Sequence, residues 1–191
     1  MPISSVLTAE PVDVLKTKRN LNSLEVEILG NLYLGNPQKP KNREGDVIVD
    51  GMCGEYKKVG LNGRTLDTSN TINQVRAIKC NFLVIYSTYH WSWFVVPAHV
   101  VVQLVKGKRR GQHTEIPYEC ATLSLKDVID TEGVIEVDNT DAETKLLPAV
   151  RAAIISSSVK SNKKYIDCME FLSKKIQSLK EDYEFIIDSI L

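Results

Sequence analysis

The sequence predicts an α/β fold: a mixed central sheet flanked by helices, with two further helices at the C-terminal end. Three observations carry that expectation. Val47-Ile48-Val49 and the residues from Met52 onward flank Asp50-Gly51, the strongest two-residue hairpin signal, because both positions of such a turn need positive φ. Phe82-Leu83-Val84-Ile85-Tyr86 is an unbroken apolar run of strand length, which suits a strand buried on both faces. Segments 11–34, 141–159 and 162–189 read as helices, the first and last from apolar residues at helical spacing.

In chain order, Pro11 suits a first helical turn, and Leu21, Leu24, Ile28 and Leu32 share one helical face, so 11–34 reads as one or two helices. Segment 35–45, with Pro37, Pro40, Lys39, Lys41 and Arg43, is a loop leading into the hairpin. A polar stretch over 60–70 follows, then a short helix over Thr71–Lys79. The strand over Asn81–Thr88 turns at Tyr89-His90 into a second strand over Trp91–Val96. Pro97 opens a helix to Val105, although its valines would suit a strand equally.

The densest cationic run, Lys106-Gly107-Lys108-Arg109-Arg110-Gly111-Gln112-His113, precedes a strand over Cys120–Leu125. An acid-rich stretch then leads to the helices over 141–159 and 162–189. In the last, Ile166, Met169, Leu172, Ile176, Leu179 and Tyr183 form an apolar stripe to be buried on the sheet or against a second copy. The expected division is a core over 1–130, with its N-terminal helix, and C-terminal helices over 131–191.

Chemistry concentrates in the hairpin. With a two-residue loop, Val49 faces Met52, Val47 faces Gly54 and Asp46 faces Glu55, while alternation puts Lys57 on the face of Glu55. Like charges directly opposite cost about 0.2–1 kcal/mol, so the two carboxylates favour a cation between them. Magnesium takes carboxylate and carbonyl oxygens and keeps several waters, which matches Asp46, Glu55 and the Tyr56 carbonyl. Lys57 is then placed to orient a water or contact a phosphate oxygen, which is phosphodiester hydrolysis.

Asp46 followed by Glu55-Tyr56-Lys57 on the partner strand resembles the D…(D/E)-x-K signature of the PD-(D/E)XK nuclease superfamily, which includes type II restriction endonucleases. The resemblance covers the hairpin and its flanks. It implies a restriction-endonuclease-like core, catalytic Asp46, Glu55 and Lys57, and a glutamate from an N-terminal helix completing the metal site, for which Glu27 is the choice. Two departures stand out. Gly45 occupies the place where the family often has proline, and the short gap from Asp46 to Glu55 makes Asp50 a rival first carboxylate.

The function so implied is a magnesium-dependent endonuclease on double-stranded DNA, in particular a type II restriction enzyme cutting a palindrome as a homodimer. The same motif suits a Holliday-junction resolvase or a nicking repair nuclease. A non-catalytic nucleic-acid-binding or assembly protein is the alternative from another class. In the basic run, Lys106, Lys108, Arg109, Arg110, Gln112 and His113 are the expected DNA contacts, with Arg suited to guanine and Gln to adenine. Met52, at the hairpin tip, is a candidate wedge between base pairs.

Composition agrees with an intracellular, globular chain. The net charge is zero over 191 residues, but residues 1–126 carry 16 Lys/Arg against 11 Asp/Glu, and 127–191 carry 8 against 13. The halves are therefore +5 and −5, and the basic one holds the hairpin. Cys53, Cys80, Cys120 and Cys168 have no zinc-like spacing with each other or with the histidines and read as reduced thiols. No apolar run reaches membrane-spanning length and the start lacks a secretion signal, so the expected location is cytoplasmic, with no membrane partner. No P-loop, dinucleotide fingerprint or Ser/Cys/His arrangement for covalent catalysis is present.

Overall fold

The computed structural model describes residues 11–40, 45–60, 71–76, 80–105 and 121–159. Its elements are α1 (Val12–Thr17), α2 (Ser23–Tyr33), β1 (Val47–Val49), β2 (Met52–Val59), β3 (Thr71–Val75), β4 (Phe82–Ser87), β5 (Ser92–Pro97), α3 (Ala98–Val105), β6 (Ala121–Ser124), α4 (Leu125–Ile129) and β7 (Ile135–Asp138). A helix over 142–159, here α5, follows.

Five strands form a mixed sheet in the order β1-β2-β4-β5-β7, in which β2 and β4 run parallel and the other pairs antiparallel. The chain is thus α/β, as its patterning predicts. β4 lies at the centre and all six of its residues are buried, because an apolar run without alternation can be covered on both faces. The sheet takes β7 from beyond residue 130, so it draws on both segments into which the sequence divides.

Alternation along the strands sorts side chains into two cores. On one face Tyr56, Phe82, Val84, Tyr86, Trp93 and Val95 pack with α2 and α5, which contribute Val26, Leu29, Leu146, Val150 and Ala153. On the other face Val59, Leu83, Ile85, Phe94 and Val96 pack with α3, α4 and the two-stranded β3-β6 sheet. Trp93 anchors the first core, edge-on to Tyr33 with ring centroids 5.9 Å apart and donating its indole N–H to Asn139 Oδ1 at 2.8 Å.

The N-terminal segment is locked to the sheet before α2 begins. Arg19 donates to the carbonyls of Thr88 and Tyr89 at 3.1 and 2.8 Å, and Tyr86 Oη donates to the Arg19 carbonyl at 2.7 Å. α2 then starts in a capping box, with the Asn22 side chain accepting from Glu25 N and Glu25 accepting from Asn22 N. These contacts fix the face of α2 that looks toward β2.

One expected element is of a different kind. Thr71–Val75 is not the start of a helix but strand β3, paired antiparallel with β6. Ile72 and Val75, one helical turn apart, imitate helical spacing. They reach the same core because a bulge intervenes, with Gln74 at φ 56°. Residues 77–79 of that expected helix lie outside the described residues, as do 106–113 and 160–191. β7 sits in the acid-rich stretch, where Ile135 and Val137 alternate with Glu136 and Asp138. No helix among the described residues is long and apolar enough to cross a membrane.

Candidate active site

The hairpin forms with the expected loop. Val49 pairs with Met52, Ile48 with Cys53 and Val47 with Gly54, and Asp50 and Gly51 have φ of 49° and 80°, the signs a type I′ turn requires. Below Val47 the register departs from expectation. Asp46 N donates to the carbonyl of Gly54, the residue that already pairs with Val47, so two residues of the first strand face one of the second, as in a β-bulge.

Asp46 is therefore not directly opposite Glu55. Its Oδ2 accepts the Tyr56 backbone N–H at 2.8 Å. Gly45 makes this bend possible, with φ of 133° and a position at which a Cβ would stand 2.7 Å from the Gly54 carbonyl oxygen. Proline, fixed near −65°, cannot adopt that conformation, which accounts for the departure from the resembled signature.

β1 covers β2 only as far as Gly54, while β4 follows β2 to Val59. Beyond Gly54, one edge of β2 has no strand partner among the described residues. A cavity of about 350 Å³ opens there. Its lining includes Glu27 from α2, Asp46, Glu55, Tyr56, Lys57 and Lys58 from the hairpin, and Thr71 and Asn73 from β3. The structure thus brings Glu27, Asp46, Glu55 and Lys57 to one cavity. In a strand the N–H and C=O of one residue point to the same edge, so the Tyr56 carbonyl leaves from the edge that Asp46 caps.

Lys57 Nζ and Glu55 Oε1 form an ion pair at 2.5 Å, with the side chains 18% and 13% exposed, so the pair is shielded rather than a solvated surface contact. Glu27 is half-buried, and its pKa is raised, first by burial and next by the charge of Asp46; Lys39 and Lys57 act in the opposite sense. The lining holds three carboxylates and two lysines, a formal balance of 2 − 3 = −1. Without a cation the cavity repels a polyanion, and a divalent ion turns the balance to +1.

Two carboxylates, a backbone carbonyl and room for water suit magnesium, which is commonly held by one or two carboxylates together with waters and substrate phosphate. Among the described residues no three His, Cys, Asp or Glu side chains form a ready-made metal cluster.

Other candidates are placed elsewhere. Asp50, the rival carboxylate, sits exposed at the hairpin tip and pairs with Arg151 of α5, Nε to Oδ2 at 2.9 Å. Met52 projects from the face of β2 opposite to Glu55 and Lys57. It lines a small hollow with Asn81, Ala98, Ile154, Ser157 and Ser158, so it is not beside the carboxylates as a wedge there would need.

Glu25 is committed to its capping box and to Lys18, at 2.7 Å. Lys106, Lys108, Arg109, Arg110, Gln112, His113, Lys41 and Arg43 lie outside the described residues. Cys53 and Cys80 are free thiols, and burial pushes Cys80 up to about 12, so it is inert.

Sequence reasoning missed Lys58, Thr71 and Asn73. Lys58 adjoins the motif and was open to notice, whereas Thr71 and Asn73 reach the cavity only through the unforeseen β3. Neither a family model nor a curated protein matches the chain.

Proposed function

We propose that the chain is a magnesium-dependent DNA endonuclease of the PD-(D/E)XK kind, acting in the cytoplasm as a homodimeric type II restriction enzyme on double-stranded DNA. The observation that carries this reading is the meeting of Asp46, Glu55 and Lys57 in one polar cavity at the uncovered edge of β2. Asp46, Glu55 and the Tyr56 carbonyl would hold the ion, and Glu27 adds negative charge from α2. When bound, magnesium lowers the pKa of a coordinated water and neutralises charge growing on the phosphate.

The chain's own residues supply position. The Tyr56 N–H fixes one oxygen of Asp46, which keeps that carboxylate from turning away to solvent. Glu55 holds the Lys57 amine at the cavity until substrate arrives, and the amine then orients the attacking water or meets a non-bridging oxygen. Attack of that water forms the new P–O bond as the bond to the leaving sugar oxygen breaks. The finer reading, restriction by a homodimer, draws on the apolar stripe over 162–189 and the basic run over 106–113, both features of sequence.

Incubation of purified protein with phage DNA and magnesium tests the reading. Discrete fragments are the expected result. Nicking alone, or cleavage only of branched junctions, would move the assignment to a repair nuclease or a junction resolvase. Intact DNA in every case would contradict nuclease activity.

A further inference from the structure

The cavity reaches around the edge of β2 rather than lying on one face of it. Lys57 and Lys58 are consecutive strand residues, so their side chains leave from opposite faces, yet both line this one cavity. Lys57 lies on the face of Val59, toward β3, whose Thr71 and Asn73 form the same wall. Lys58 lies on the face of Tyr56, toward α2, with its Nζ 3.4 Å from Asn20 Oδ1. The Glu25 carboxylate, which meets Lys18 at 2.7 Å and the Asn22 N–H at 2.7 Å, also acts electrostatically on Lys58.

A strand of nucleic acid that brings one phosphate to Lys57 must cross this edge, and its continuation then passes the α2 side. We infer that Lys58 is a substrate-binding residue that grips a phosphate flanking the scissile one on the same strand. The inference rests on the nuclease reading and adds to it a second phosphate position and the path of the cut strand over β2. Lys58 takes no part in bond breaking. It contributes affinity that is independent of base sequence and sensitive to salt.

The test measures binding of a fluorescent DNA duplex in calcium, which supports binding while slowing cleavage, over a salt range from about 50 to 200 mM. Lys58→Gln is compared with Lys58→Arg, which keeps the charge, and with Lys145→Gln, a surface lysine on α5 paired with Asp141. For one lost phosphate contact the slope of log affinity against log salt falls by about 0.9, so the affinity ratio across that range shrinks by about three- to fourfold. The slope is expected to fall in Lys58→Gln and to stay unchanged in Lys58→Arg and Lys145→Gln.

A lysine that only braces Asn20 would shift the unfolding midpoint without moving the slope. An unchanged slope in Lys58→Gln overturns this inference and leaves the nuclease reading standing. Failure of the unchanged chain to bind or cut DNA overturns both.

Discussion

Met52–Gly54 of β2 pair with β1, and Gly54 pairs with β4 as well, whereas Glu55–Val59 keep β4 on one edge and, among the described residues, no strand on the other. Where both neighbours are present, packing excludes a side chain: a Cβ on Gly54 would stand 2.1 Å from the Phe82 ring, which lies across the strand at that point. In the second part charged residues gather, with Glu55, Lys57 and Lys58 from the strand itself and Asp46 and Glu27 from its surroundings. A complete sheet turns its residues over to packing. Where it ends, backbone groups need other partners and leave space for ligand chemistry, and Asp46 supplies one such partner to the Tyr56 N–H.

Substitutions on either side of that boundary separate stability from activity. The largest effect is expected for Asp46→Asn, which keeps an acceptor for the Tyr56 N–H and removes the charge. Cleavage should fall by about 10²–10³-fold while the unfolding midpoint stays near that of the unchanged chain. Asp46→Ala should add a stability loss on the order of 1 kcal/mol, because the Tyr56 N–H loses its acceptor. Equal cleavage rates in all three proteins would erase the distinction between the two parts of β2.

Gly54→Ala is expected to act the other way, through the fold, since the added methyl meets the Phe82 ring. A loss of about 1–3 kcal/mol in urea unfolding is the outcome predicted for overpacking at such a site. Glu27→Gln has a smaller effect that depends on pH. Because the folded pKa of Glu27 lies above the ordinary 4.5, the native state binds more protons there than the unfolded chain. Stability should therefore decline as pH rises from 4.5 through the raised folded value, and Glu27→Gln should remove that decline in urea midpoints.

Asp50→Ala is expected to do least. The exposed pair with Arg151 is worth about 0.2–1 kcal/mol, and cleavage should be unaffected because Asp50 stands at the far end of the hairpin. A large loss of cleavage in this variant would revive Asp50 as the first carboxylate.

What was legible in the sequence follows from how local each cause is. The Asp50-Gly51 turn, the hairpin register down to Val47 and the fully buried β4 follow from short stretches that admit one favourable arrangement. Thr71–Val75 could not be read locally, because its strand state depends on pairing with β6 and on a left-handed Gln74. Ile135–Asp138 does alternate, but its acids read as a solvated connection until β5 supplies a partner strand. For the candidate site, the sequence pointed to residues that do line one cavity, but not to their geometry. The bulge at Asp46, which directs its carboxylate to Tyr56 rather than across to Glu55, depends on a positive φ at Gly45 that no spacing announces.

On the proposed reading, two acids gathered where β1 stops short of β2 hold a divalent cation, and the Lys57 amine beside them positions water or phosphate for cutting DNA. Digestion of a defined supercoiled plasmid, with and without magnesium, by the unchanged chain and by Lys57→Ala tests it most directly. Magnesium-dependent conversion to cut forms is expected of the unchanged chain. Lys57→Ala should lose cutting with DNA binding largely retained. Equal cutting with and without magnesium, or equal cutting by both proteins, would contradict it.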